Sequence, residues 1–258
     1  MGSVSVPQRR AFLVGGLAAA SAAVITGCSS ESQAGTPAEK VAAGSASTPS
    51  PAAAGTRPDS PRTAFDRLME GNKRWVDGKP QHPDQTPERR TLVAEEQKPY
   101  SAILSCIDSR VPPELVFDTG IGDLFVMRTG GHVVAPVVTG SVEYGPLTAG
   151  TSLIVVLGHQ RCGAVKAAYK ALQDNQPLPG NLQSIVEALR PAYQEVSKQK
   201  HADPVDAMIR AHTRQTAADL RKSSNLSPLL KKRDVAVVSA YYSLDTGRVE
   251  VLSGAPAA

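Results

Sequence analysis

The chain has 258 residues, 41% hydrophobic and 20% charged, which is enough apolar material for one sizeable core. Its formal charge is +4, but Arg9 and Arg10 are the only charged residues before Cys28, and setting them aside leaves 26 basic residues against 24 acidic ones. No basic stripe interleaved with aromatics appears, and that balance argues against a nucleic-acid partner.

In chain order, the first feature is "VPQRRAFLVGG", where paired arginines precede the weakly hydrophobic run Ala11–Ile25, which ends in "ITGC". The run is too short and too rich in alanine and glycine for a membrane span. The arginine pair resembles a twin-arginine export signal. "VITGC" resembles a bacterial lipoprotein cleavage box, cut before the cysteine that receives lipid, here Cys28. The plainer alternative is a secretory peptide with an incidental cysteine. Residues 1–27 are therefore expected to be a signal, and the mature protein to lie outside the cytoplasm, anchored by lipid at Cys28 or secreted without it. Residues 28–61 are dominated by Ala, Ser, Pro, Gly and Thr. They carry too little apolar surface to offset ordering entropy and read as a flexible tether.

The folded part is expected over 62–254. Phe65, Leu68, Met69, Trp75 and Val76 recur at helical spacing. "GKPQHPDQTPERR" reads as a loop. Compact aliphatic runs at Ser101–Cys106, Leu124–Arg128, Ser152–His159 and Val235–Tyr241 predict strands covered on both faces. Helical patterns fall between them at about 138–149, 162–173, 181–197 and 204–222. "DTG" at 245–247 predicts a hairpin turn into a last strand, "RVEVL". Strands alternating with helices imply a single α/β domain, a mostly parallel central sheet flanked by helices.

Two motifs carry chemistry. "LSCIDSR", residues 104–110, puts Cys106, Asp108 and Arg110 at alternate positions where a strand ends; "LGHQRCG", residues 157–163, puts His159 at another strand end and Cys162 at the start of the next helix. In open α/β sheets such strand ends converge on one ligand site. Two cysteines and one histidine match a catalytic zinc set, which leaves one position open. The helix N-terminus is expected to lower the Cys162 thiol pKa. Arg110 cannot bind metal but can hold a carboxylate. The competing readings are a Cys106–Cys162 disulfide, formed after export, and two buried cysteines with a satisfied core histidine.

"CIDSR" and "HQRCG" resemble the C-x-D-x-R and H-x-x-C-G motifs of the β-class carbonic anhydrases. So do the overall shape of "AILSCIDSRVPPELVFDTGIGDLFVMRTGGH" and the "GSVEYG" at 140–145. The likeness runs from about Arg62 to Leu252. It implies a parallel α/β sheet, a homodimer or higher assembly, and zinc-dependent interconversion of carbon dioxide and bicarbonate. It also implies that Cys106, His159 and Cys162 hold Zn2+ with water in the fourth place. Asp108, restrained by Arg110, would orient that water in an open site and become the fourth ligand in a closed one. Two thiolates leave the ion less positive than three histidines do, so activity is expected to lean alkaline. Two departures stand out: Ile107 replaces a small polar residue, and "RTGGH" at 128–132 replaces an asparagine-alanine-glycine wording. A carbonyl sulfide or carbon disulfide hydrolase on the same scaffold, and a non-catalytic zinc or bicarbonate-binding module, share these motifs.

Other residues carry less. His132 either assists proton transfer, lines the cleft, or packs against neighbours. Gly163 is expected to let the backbone pass close to the metal. His82, His201 and His212 read as surface or satisfied residues, and "LKKRD" at 230–234 as a solvated charge run at a helix end.

Overall fold

The computed structural model describes residues 56–257; the expected export signal over 1–27, with Arg9 and Arg10, and the tether from Cys28 to residue 55 lie outside them. Order begins ahead of Pro61. Arg57 donates to the carbonyls of Lys98, Pro99 and Gly150, and Pro58 is buried.

Helix α1 (Pro61–Val76) starts where the local sequence stops an extended chain. Ser60 caps it by accepting from the Thr63 amide, Thr63 returns the bond to the Ser60 amide, and Pro61 supplies a preset φ. A five-stranded sheet follows, built from β1 (Ser101–Cys106), β2 (Leu124–Thr129), β3 (Leu153–His159), β4 (Ala236–Tyr242) and β5 (Val249–Ser253). Its spatial order is β2-β1-β3-β4-β5, parallel throughout except for β5, which returns antiparallel on β4.

Alternation along the strands divides the core. Ile103, Leu153, Val155 and Leu157 face α1, whereas Ala102, Leu104, Ile154 and Val156 face the opposite layer. That layer holds α4 (Pro136–Thr148), α5 (Gly163–Gln173), α6 (Leu182–Val196), α7 (Pro204–Lys222) and α8 (Leu226–Lys232). Helix α7 is the best framed of these: Asp203 accepts from the Val205 and Asp206 amides, Pro204 follows, and Arg221 and Lys222 close its last turn. Among the described residues, no helix is long and apolar enough to cross a membrane.

Three details differ from the sequence reading. The predicted loop after α1 contains a helix, α2 (Pro87–Leu92), whose cap is Thr86 and whose first residue is proline. A further short helix, α3 (Pro113–Val116), follows the first motif. Strand β2 is half-buried along its whole length rather than covered, because it lies at the sheet edge with no strand beyond it. The "LKKRD" charge run does close a helix: α8 ends at Lys232, with Arg233 in the left-handed region at φ 64°.

Asn72, 4% exposed, ties α1 to both ends of the domain. Its Nδ2 donates to the carbonyls of Val116 (3.0 Å) and Gly247 (2.8 Å), and its Oδ1 accepts from the Val249 amide at 2.9 Å. Replacing it with leucine strands three backbone groups away from water. Asn72→Leu should therefore lower the unfolding free energy by about 3 kcal/mol in urea titrations. A loss below about 1 kcal/mol would show that water reaches those groups.

Candidate metal centre

Strands β1 and β3 are parallel neighbours with Ser105 opposite Leu157, so both leave the sheet at the same end. Cys106 and His159 are their last residues, and Cys162 is the N-cap of α5. The ligand atoms of Cys106, His159 and Cys162 all lie within 4.8 Å of one another. The three residues are 2%, 0% and 0% exposed. Both cysteines are free thiols with Sγ atoms 3.8 Å apart, so the disulfide alternative is not what this fold holds.

The donor chemistry suits a metal ion. His159 Nδ1 lies 3.0 Å from the Gln160 carbonyl, which can only accept, so that nitrogen carries the proton and Nε2 keeps its lone pair. Nε2 is buried and has no hydrogen-bond partner among the described residues. An imidazole lone pair without a partner beside two thiols is costly unless a cation meets it.

The thiols differ. Cys106 is pulled below the ordinary thiol range, chiefly by its hydrogen bond with the Cys162 thiol and against burial, with further help from His159 and from the Gly131 amide at 3.3 Å. Cys162 is pushed up, first by that same contact with Cys106 and then by burial. The amides of Val165 and Ala164, at the start of α5, act in the lowering direction that the sequence suggested, but they are outweighed. Burial opposes charge on either of two thiols this close, and a cation between them would favour their thiolate forms.

Asp108 stands beside this group with its carboxylate gripped by Arg110. Oδ1 accepts from Arg110 Nε (2.9 Å) and from the Arg110 amide (3.0 Å), and Oδ2 accepts from Nη2 at 2.8 Å. Oδ2 is also the oxygen nearer the donor set, 3.9 Å from His159 Nε2. A carboxylate offers about four acceptor positions. Arg110 takes three, so one on Oδ2 stays available.

Three further residues build the walls. Arg128, from the end of β2, donates to the carbonyls of Cys106 (2.8 Å) and Asp108 (2.6 Å), fixing the backbone between them. Its signal in the sequence was only a charged residue ending an apolar strand. Gly131, at φ 65°, turns its amide onto Cys106 Sγ. Gly158 precedes His159, and a Cβ there would fall on Thr213 Oγ1, so glycine lets α7 close against β3.

His132 takes the packing role. It is fully buried, its Nε2 lies 3.3 Å from Thr213 Oγ1, and its ring stacks on His212 with centroids 4.5 Å apart. Burial pushes both rings towards the neutral form, His212 to about 4. His212 is thus a core residue, not a surface one, and its Nε2 lacks a partner, because α7 carries it behind the metal centre. His82 is exposed and His201 half-buried, and neither joins the group. A Cβ at Gly163 would meet no other atom of the chain within 4 Å, so internal packing does not demand glycine there.

A family model described as carbonic anhydrase matches residues 101–249, from the first strand to the last. This chain belongs to the carbonic anhydrase family. Carbonic anhydrase 2 of Mycobacterium tuberculosis is 41% identical over 190 residues, covering 73% of this chain and 91% of the relative. The carbonic anhydrase of Mycolicibacterium smegmatis is 40% identical over 195 residues, covering 75% and 94%. Among solved structures, a tetrameric β-carbonic anhydrase of Sordaria macrospora superposes with a TM-score of 0.59 at 21% identity, covering 74% of this chain and 98% of its own. A Coccomyxa β-carbonic anhydrase gives 0.56 at 23%, covering 73% and 86%. The fold is that of the β class.

Arg110 holds Asp108 well down, to about 2, with His159 adding a smaller pull in the same direction. Because the folded value lies below the ordinary 3.8, the pair favours the fold above that pH and ceases to as pH falls through about 2. Arg110 is 52% exposed, so the effect on stability is small and the titration is the better readout. In the metal-free protein, carbon-detected NMR should place the Asp108 midpoint near 2 and move it up towards 3.8 in Arg110→Ala. An unmoved midpoint would mean that the guanidinium does not govern this carboxylate.

Proposed function

We propose that the protein is a zinc enzyme that interconverts carbon dioxide and bicarbonate. The observation that carries this is the buried donor set of Cys106, His159 and Cys162 beside an Asp108 already fastened by Arg110, within a chain of the carbonic anhydrase family. A zinc ion held by those three side chains supplies Lewis-acid activation of a water near neutral pH.

The remaining work falls to the chain. The Gln160 carbonyl fixes the His159 tautomer that leaves Nε2 free to ligate. Arg110 turns Asp108 so that Oδ2 accepts a hydrogen bond from the attacking oxygen and aims its lone pair at the carbon of carbon dioxide. The same grip keeps the carboxylate from serving as a fourth ligand. Arg110 remains protonated throughout, so it neither gives nor takes the reaction's proton. Ile107 and Arg110, both exposed, put solvent beside the first motif, where substrate and proton would exchange.

Two features of context complete the proposal. The unpaired edge of β2, together with exposed Val137, Tyr144 and Leu147 on α4, fits a second copy of the chain, which supports a homodimer or larger assembly. The arginine pair at 9–10 and Cys28 support export by the twin-arginine route and lipid anchoring outside the cytoplasm. That route carries folded proteins, so zinc can enter before oxidants reach the two thiols.

The purified protein should hold about one zinc per chain and hydrate carbon dioxide in stopped-flow assays. Cys162→Ser should lose both metal and turnover, while Arg110→Ala should keep the metal and lose at least about tenfold in turnover. Zinc-loaded protein without hydration activity would leave a binding module instead.

In a bacterial host that recognises both signals, intact protein should fractionate with membranes, and Cys28→Ser should release it. Scattering from detergent-solubilised protein should give two or more chains per particle. A Cys28 variant of unchanged mass that stays on the membrane would remove the lipid anchor from this reading, and a monomer would remove the assembly.

A further inference from the structure

Between His159 and Cys162 lie Gln160 and Arg161, and neither ligates. We propose that Asp245, in the turn between β4 and β5, is a positioning residue that clamps this pair from outside and so sets the geometry of the metal ligands. The inference rests on the zinc reading above.

Arg161 sits at φ 54°, in the left-handed region that disfavours an arginine. Something must hold it there. Asp245 receives its guanidinium through both oxygens, Nη1 to Oδ2 at 3.2 Å and Nη2 to Oδ1 at 2.5 Å. The same Oδ2 accepts from Gln160 Nε2 at 2.8 Å. Gln160 Oε1 in turn accepts from the Asp245 amide at 3.2 Å and from Ser243 Oγ at 3.3 Å, and the Gln160 amide donates to the Tyr242 carbonyl at 2.9 Å.

The two residues work in both directions. Outwards, their side chains meet the turn. Inwards, the Gln160 carbonyl accepts the proton of His159 Nδ1, and the Arg161 carbonyl lies 3.4 Å from Arg110 Nη2. One carboxylate on the far side of the loop therefore bears on the His159 ring, on the spacing of His159 and Cys162, and on the arginine that grips Asp108. The turn is itself anchored, since the Gly247 amide donates to the Ser243 carbonyl at 2.9 Å and Asn72 bonds Gly247 and Val249.

Exposure tells a positioning role from a structural one. Arg161 and Asp245 are 54% and 56% exposed, and exposed ion pairs add little to global stability. Losing this pair should disturb the ligands and leave the fold nearly intact. Glycine takes positive φ without steric cost. If Asp245 matters because it holds Arg161 in that region, glycine at 161 removes the need for the clamp.

The test measures zinc dissociation constants by chelator competition for the wild type, Asp245→Ala, Arg161→Gly and the double variant. Alongside these run thermal unfolding of each metal-free protein and the visible spectrum of each cobalt-substituted one. Asp245→Ala should weaken zinc by about 10–100-fold and shift the cobalt bands. Its metal-free unfolding midpoint should stay within about 4 °C of the wild type. The double variant should recover most of the affinity and the wild-type spectrum. Unchanged affinity in Asp245→Ala, a larger fall in the midpoint, or no recovery in the double variant would overturn the inference. A wild type that takes no zinc would instead overturn the reading beneath it.

Discussion

Two thiols held 3.8 Å apart in a pocket that excludes water set the terms for everything around them. Burial opposes charge on either sulfur, and the contact between them pulls the Cys106 thiol down while pushing Cys162 up. Such a pair is balanced only when a cation completes it, and His159 Nε2, buried with its lone pair unclaimed, is the third side of that demand. The chain thus keeps, in a buried region, a group whose donor atoms suit a cation. In a fold of this size that arrangement survives because the surrounding sheet is well packed, with β1 and β3 buried along their full lengths.

The parallel sheet makes the group possible. Adjacent parallel strands end on the same side, so the last residues of β1 and β3 are neighbours although they are more than fifty positions apart in sequence. Helix α5 then begins immediately, and its N-cap returns Cys162 to the same point. Small residues permit the closeness: Gly131 can present its amide to Cys106 Sγ, and Gly158 lets Thr213 approach. The cost falls on the layer behind, where His132 and His212 are packed neutral with ring nitrogens left unpartnered.

Beyond the ligands, cations with exposed or half-exposed side chains hold the shape. Arg128 grips the backbone of the first motif, Arg110 the carboxylate, and Arg161 the turn before β5. Each reaches oxygen acceptors in a forked geometry, which lysine could not reproduce, and Arg128 and Arg161 thereby join segments distant in sequence. None is worth much as a surface ion pair. Their value lies in direction, because a ligand displaced by a fraction of an ångström binds and orients less well.

Much of this was legible in the chain itself. The aliphatic runs located all four parallel strands, since a strand covered on both faces must be apolar at successive positions; helical periodicity placed α7 at about its observed bounds. The motifs named the Cys106–His159–Cys162 group and the Asp108–Arg110 pair that the fold brings together, because few functions need those residue types at that spacing. What the sequence could not decide were matters of distance and burial. It did not show that β2 lies at an edge, that His212 is buried against His132, or that the two thiols pull each other's pKa in opposite directions. Nor did it reveal Arg128 and Asp245, whose partners come together only after folding. Periodicity records which side of an element is apolar. The pKa of a thiol and the partner of an arginine depend on what other elements bring within a few ångströms, and only the tertiary structure decides that.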